Sequence, residues 1–221
     1  MLSSTVENYL KAILRLSEEG EPDAPVPAGK IAEALAVTPG TITTMMKQLK
    51  RDGWIEYIPR KGVHLTESGR RSALQVLRRH RLTELFLVEV LHLDWAHVHE
   101  EAEVLEHVLS DRLVERIDEM LGRPAVDPHG DPIPDAQGRM REDATRRLDE
   151  CSAGDYVLKR VGRDDAEFLN WLREAGLKPG AEFRLLRREP LAGVIELEIQ
   201  GRALRVGELA SAVLWVEGKA I

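Results

Sequence analysis

The sequence predicts a mainly α chain with a small all-β domain, arranged as an N-terminal winged helix-turn-helix, a helical middle and a C-terminal SH3-like barrel. Three observations predict it. Apolar residues recur at helical spacing through much of the first 120 residues, and two short helices are followed by two short strands around a basic tip. After Cys151 the pattern changes to short β-runs separated by Gly-containing turns. The expected boundaries are 1–70, 71–150 and 151–221, and 43% hydrophobic content is ordinary for a chain that buries several small cores.

The first helix is expected over Ser4 to Glu18, where Val6, Tyr9, Leu10, Ile13, Leu14 and Leu16 give the 3.6-residue period. GEPDAPVPAG ends it. A short helix over Gly29 to Ala36 and the turn VTPG lead to a second helix capped by Thr38, with Pro39 in its first turn. There Ile42, Met45, Met46 and Leu49 form the packing face, while Thr41, Thr44, Lys47, Gln48 and Arg51 lie opposite. WIEYIPRKGVHL reads as two strands around a PRKG tip, the wing of a winged helix.

TESG, capped by Thr66, opens a long helix carrying RRSALQVLRRHRLTELFLVEVL, and a second long helix is expected over Ala96 to Leu121. Their apolar stripes, Leu85, Phe86 and Val88 in one and Leu105, Leu109, Leu113 and Ile117 in the other, exceed what a lone hairpin needs. A helical dimerisation domain would use them. GRPAVDPHGDPIPDAQGRM is an irregular loop, followed by a short helix near Glu142 to Glu150. The β-runs are DYVLKRV, AEFRLLRR, GVIELEIQ, RALRV and SAVLWVE, interrupted by one helix over Asp165 to Ala175 before Gly176.

Charge divides the chain. The overall formal charge is -7, but Ala28 to Leu82 holds eleven Lys/Arg against four Asp/Glu, a net of +7. Glu84 to Asp155 holds seven Arg against nineteen acids, a net of -12. The first segment suits nucleic-acid phosphates and the second suits cations. MLSSTVENYLKAILRL lacks the basic n-region of a secretory signal, and no apolar run reaches membrane-spanning length. The single cysteine excludes an intrachain disulfide framework and any multi-cysteine zinc cage, and fits a reducing cytoplasm.

HVHEEAEVLEHVLSD, residues 97–111, places His99, Glu103, Glu106 and His107 within about a third of the circumference if it is one helix. A solvated charged stripe is one reading. Two imidazoles on the same face favour a divalent transition metal. HExxH and HxxEH are absent, and Glu103 to His107 is one residue too long for an ExxH unit. Oxygen and imidazole donors without thiolate favour six-coordinate Mn(II) or Fe(II) over tetrahedral structural zinc. His80 and Glu84 form a further i, i+4 pair on the preceding helix. No nucleophile elbow, P-loop or dinucleotide fingerprint is present.

The order of helix, winged helix-turn-helix, RRHRLTELFL, VHEEAEVLEHVLSD, DPHGDPIP and terminal barrel closely resembles the DtxR/MntR family of metal-dependent transcriptional repressors over nearly the entire chain. The resemblance implies a primary metal site of Asn8, Glu103, Glu106 and His107. The iron-responsive branch has methionine at position 8 and cysteine at position 103, and the manganese branch has acids at both; Glu103 thus points to Mn(II), while Asn8 matches neither but offers a hard amide oxygen. Lys11 stands where the binuclear manganese form has a further glutamate. An ancillary site would use His80, Glu84 and His99 with Asp164 and Glu167, where the family typically has glutamate and glutamine. Asp127 replaces a residue that is often cysteine and reads as structural.

The expected function is a homodimeric repressor of metal-uptake genes, activated by Mn(II) or alternatively Fe(II), that acts in the cytoplasm on a palindromic operator. Its recognition helices would enter successive major grooves about 34–36 Å apart or a multiple of that. Thr38, Pro39, Gly40, Thr41, Thr43, Thr44 and Lys47 form the base-facing stretch, with Arg51, Arg60 and Lys61 on phosphates. Alternatives are a winged-helix regulator of another ligand, a metal-dependent hydrolase and a metal buffer.

Overall fold

The computed structural model describes residues 2–21, 23–140 and 144–219. Met1–His80, Glu106–Leu109 and Pro134–Met140 make one compact unit, and Arg81–Leu105, Ser110–Ile133 and Arg141–Ile221 make a second.

In the first unit, α1 (Ser4–Glu19) begins where Ser3 accepts from the Val6 amide. Its buried Tyr9, Leu10, Ile13 and Leu14 share a core with Ile31 of α2 (Ala28–Ala34) and with Ile42, Met46 and Leu49 of α3 (Pro39–Arg51). Thr38 caps α3 by accepting from the Thr41 amide, as its position before Pro39 predicts. Strands β1 (Ile55–Ile58) and β2 (Gly62–Leu65) form the wing hairpin. Val26 bridges to Val63 from outside, bringing its carbonyl so near Gly62 that a Cβ there would lie 2.2 Å from it. Only glycine fits that position.

Helix α4 (Glu67–Glu89) is shared: its residues to His80 belong to the first unit and those from Arg81 to the second. The second long helix expected over 96–121 is instead two, α5 (Val98–Leu105) and α6 (Asp111–Met120). The break follows from Ser110 and Asp111. The Ser110 hydroxyl accepts from the Leu113 amide as an N-cap, and Asp111 favours a first turn, so a new helix starts there.

The second unit ends in an antiparallel sheet ordered β3-β8-β4-β5-β6-β7, built from β3 (Arg146–Arg147), β4 (Gly154–Val161), β5 (Glu182–Glu189), β6 (Val194–Ile199), β7 (Arg202–Gly207) and β8 (Leu214–Gly218). Register shifts between Leu158 and Arg160 and between Leu185 and Arg187 bend it. Leu158, Leu185, Leu197, Val206 and Leu214 pack with Leu169 and Leu172 of α7 (Ala166–Ala175). Asp165 caps α7 by accepting from the Phe168 amide, and Gly176 ends it in the left-handed region. A short α8 (Glu208–Ser211) lies between β7 and β8.

Of the helix expected near Glu142 to Glu150, Glu142 and Asp143 lie outside the described residues. The remainder is β3 and a 3-10 turn at Leu148–Glu150. Arg146 and Arg147 pair with Val216 and Trp215, and Arg188 donates to the Leu148 and Cys151 carbonyls at 2.7 and 2.8 Å. Ladder and guanidinium thus take up backbone groups that a helix would have used internally.

Candidate metal centres and DNA-facing helix

Because α5 ends at Leu105, Glu106 and His107 fall in the turn that follows it, within the first unit. Glu106 is fully buried there. Its Oε2 lies 2.6 Å from His80 Nδ1, and Lys11 Nζ of α1 donates to Oε1 and Oε2 at 2.7 and 2.9 Å. Burial alone would raise the Glu106 carboxyl, but the His80 hydrogen bond and the Lys11 charge outweigh it and hold the carboxyl below its ordinary value.

His107 has two distinct nitrogens. Nδ1 lies 2.6 Å from Glu7 Oε2, whose other oxygen accepts from Arg79 at 2.5 Å. With Nδ1–H donated to that carboxylate, Nε2 carries the lone pair. Nε2 lies 3.3 Å from Glu106 Oε1, yet it and Asn8 Oδ1 are buried without a hydrogen-bond partner among the described residues. Buried polar atoms are normally satisfied, and an imidazole nitrogen and an amide oxygen left in this state, the former facing a carboxylate, fit a divalent cation. Asn8, Glu106 and His107 all fall in the first unit, where His107 Nε2 faces Glu106. Glu103 belongs to the second, where its Oε1 lies 3.5 Å from His99 Nε2.

A second set of donors lies in the second unit. Glu84 Oε1 lies 3.1 Å from His99 Nδ1, and His99 Nε2 lies 3.6 Å from Asp164 Oδ2. Glu84, Asp127 and His129 are all buried, with one donor atom of each within 4.8 Å of the others. His129 Nε2 lies 3.0 Å from the Trp95 carbonyl, which can only accept, so the neutral ring keeps its lone pair on Nδ1. That nitrogen lies 3.9 Å from Glu84 Oε2. Burial pushes the Asp127 carboxyl well up, and the charges of Asp131 and Glu84 add to this against the opposing Arg81. Two carboxyls and an imidazole brought this close in a buried set are donors that fit a divalent ion.

The loop that supplies Asp127 and His129 is held by its own chemistry. Asp127 Oδ1 accepts from the His129 and Asp131 amides at 2.8 and 3.0 Å, and Arg81 Nη1 donates to the Pro132 carbonyl. Gly130 comes so near β4 that a Cβ would lie 1.9 Å from the Lys159 carbonyl oxygen. Asp127, expected to be structural, therefore stands among metal-type donors, and His129 was missed. The D-x-H spacing in DPHGDPIP was the available signal. Glu167 stays exposed in the first turn of α7, where a carboxylate suits the helix dipole, and His80 pairs with Glu106.

On α3, Thr38, Pro39, Gly40, Thr41, Thr43, Thr44, Lys47 and Arg51 are all exposed, as are Arg60 and Lys61 on the wing. The Thr43 and Thr44 hydroxyls donate to the Pro39 and Gly40 carbonyls at 2.8 and 3.1 Å, leaving their oxygens as acceptors. Arg60 takes a positive φ of 64° at the hairpin tip.

A winged helix with an exposed recognition face, joined to buried clusters of metal donors, defines a metal-responsive DNA-binding protein. Comparison with known proteins agrees. Residues 1–63 match the "Iron dependent repressor, N-terminal DNA binding domain", 66–135 the "Iron dependent repressor, metal binding and dimerisation domain" and 146–217 the "FeoA domain". The chain is 35% identical over 193 residues to the iron-dependent repressor IdeR of Mycobacterium tuberculosis, covering 81% of this chain and 83% of the relative. It is 31% identical over 224 residues to the diphtheria toxin repressor of Corynebacterium glutamicum, covering 96% of both. A solved "Manganese-dependent transcriptional repressor complex with manganese" superposes with a TM-score of 0.89 at 38% identity, covering 97% of this chain and 100% of that one. The manganese regulator SloR gives 0.79 at 36% identity, covering 97% and 98%. The chain belongs to the iron-dependent repressor family of metal-dependent, DNA-binding transcriptional repressors. No helix among the described residues is long and apolar enough to cross a membrane.

Proposed function

We propose that the chain is a homodimeric repressor of metal-uptake genes that reads a palindromic operator when Mn(II) is bound, and that it is not an enzyme. The observation that carries the metal assignment is the donor set. The two clusters offer carboxylate, amide oxygen and imidazole, while the single cysteine, Cys151, is buried in the core of the second unit. Hard donors without thiolate favour Mn(II), with Fe(II) next. Two solved relatives named for manganese support that order.

Asn8, Glu106 and His107 of the first unit would hold the primary ion, and Glu84, Asp127 and His129, with His99 and Asp164, the ancillary one. A divalent ion bound there would supply positive charge shared by these carboxylate, amide and imidazole donors. The chain's own residues set the rest. Glu7, clamped by Arg79, holds the His107 ring with Nε2 inward. Asn8 lies on α1, whose apolar face shares a core with α3, so fixing Asn8 to the turn after α5 also fixes the recognition helix. Regulation then requires only that this arrangement bind metal better than a loosened one. Exposed Leu91, Val104, Leu113 and Met120 in the second unit supply apolar surface for a dimer. Lys47, Arg51, Arg60 and Lys61 would meet phosphates, and the threonines of α3 the base edges.

Capture of sheared genomic DNA by the full chain, with micromolar Mn(II) or with chelator, tests this. Enrichment of a palindrome only with Mn(II) is the expected outcome. Equal enrichment in chelator would refute metal dependence, and no enrichment in either would favour a metal buffer.

A further inference from the structure

The exposed face of α3 is a single stripe. Gly40, Thr43, Thr44, Lys47 and Arg51 follow helical spacing opposite the buried Ile42, Met46 and Leu49. The N-terminal half of this stripe has two properties that the fold does not require, and the first is Gly40. Glycine is a weaker helix former than alanine. Gly40 does not take a positive φ, and a Cβ built on it would meet nothing closer than the Thr38 hydroxyl oxygen at 3.9 Å. Packing within the chain therefore leaves room for alanine, and the missing side chain serves close approach from outside.

The second property is how the threonines are bonded. The Thr43 and Thr44 protons are spent on the Pro39 and Gly40 carbonyls at 2.8 and 3.1 Å. With each oxygen turned back onto the helix, the γ-methyl is the branch left facing out. In the major groove guanine offers only acceptors, N7 and O6, which such a hydroxyl cannot bond. It can accept from adenine N6 or cytosine N4, and of those two pairs only A·T adds a methyl group, on thymine, for the γ-methyl to meet.

We propose that Gly40, Thr43 and Thr44 form a patch without free side-chain donors that selects A·T pairs in the operator through the thymine 5-methyl group. Gly40 admits the base edge, and the two γ-methyls pack on the thymines. The hydroxyl oxygens accept from the paired adenines. Specificity at these steps comes from shape and methyl contact, and no hydrogen bond is donated from Thr43 or Thr44 to a base. The inference rests on the operator-reading repressor proposed above and names the base pairs that it reads.

The probe is a duplex that the full chain selects from a random-sequence library in micromolar Mn(II), resynthesised with deoxyuridine, which lacks only the methyl, at each thymine in turn. Binding is followed by fluorescence anisotropy, and circular dichroism and thermal melts check folding. At the thymines that face α3, loss of the methyl should weaken wild-type binding about fourfold. Thr43→Ser and Thr44→Ser keep the hydroxyl without the methyl, so each should bind thymine and deoxyuridine duplexes equally at its own position. Thr43→Val and Thr44→Val keep a methyl and should keep the discrimination. Gly40→Ala should melt no lower than wild type yet bind about tenfold more weakly, the scale of one base contact. Wild type indifferent to deoxyuridine at every thymine, serine variants that still discriminate, or valine variants that do not, would overturn recognition by methyl. A folded Gly40→Ala with wild-type affinity would overturn the close approach. Wild type that selects no sequence at all would sink the operator-reading repressor itself, an outcome distinct from these.

Discussion

Removing Glu106 from the metal-free protein should cost far more than removing a surface carboxylate. The side chains of Glu106 and Lys11 are 0% and 7% exposed, so the pair has little solvent to screen it. Deleting one partner of a buried ion pair costs about 3–5 kcal/mol, because the other charge stays buried without compensation. His80 also loses its 2.6 Å hydrogen bond to this carboxylate, which adds to the cost. For a chain of 221 residues each kcal/mol moves the melting midpoint by about 2–4 °C, so the drop should be about 6–20 °C. The assay is urea and thermal unfolding in chelator of wild type, Lys11→Met, Glu106→Ala and the double variant. The double variant should recover much of the loss, with a coupling near the top of the usual 0.5–3 kcal/mol, roughly, for contacting residues. Single variants that each lose under about 1 kcal/mol, or losses that simply add, would refute the buried pair.

Other consequences are equally direct. His129→Ala and Asp127→Ala should each weaken the ancillary Mn(II) site at least tenfold, about 1.4 kcal/mol, in calorimetric titrations that leave the other site unchanged. The two shifted carboxyls should act on pH stability with opposite signs. Glu106 is held low, so its contribution is complete above the unfolded carboxyl range and is lost as pH falls through the folded value. Asp127 is held high, so its contribution is present below the unfolded range and is lost as pH rises through the folded value. Urea midpoints of the metal-free protein should fall on both sides, and Asp127→Asn should remove the loss on the rising side. Arg60→Ala should weaken all DNA sequences alike and reduce the salt slope of binding by about 0.9, measured by fluorescence anisotropy across salt concentrations. Gly62→Ala should destabilise the wing, because its Cβ would meet the Val26 carbonyl at 2.2 Å; amide exchange at Val63 reports it.

Much of the fold was legible because local signals agree with it. Thr38 before Pro39 and the pair Asp165 and Gly176 around α7 each mark an end that the structure keeps. The longest misreading, one helix across 96–121, came from following apolar period past a cap, since Ser110 and Asp111 announce a start inside it. Long-range pairing was out of reach. That Arg146 and Arg147 form a strand depends on β8, seventy residues later, which no local pattern contains. For the site, residue types were readable and partners were not. The i, i+4 pair His80 and Glu84 splits between Glu106 in one unit and His99 in the other. Asp127 and His129 join Glu84 only because Gly130 lets their loop lie against β4.

The most direct measurement is the affinity of a captured operator for wild type and for the Asp127→Ala/His129→Ala and His107→Ala variants, titrated with Mn(II) from chelator upwards. Wild-type affinity should rise at least tenfold with Mn(II), while the ligand variants stay near their chelator value. Operator binding that is equally tight in chelator, or a rise that survives loss of both donor clusters, would contradict a repressor switched by metal at these residues.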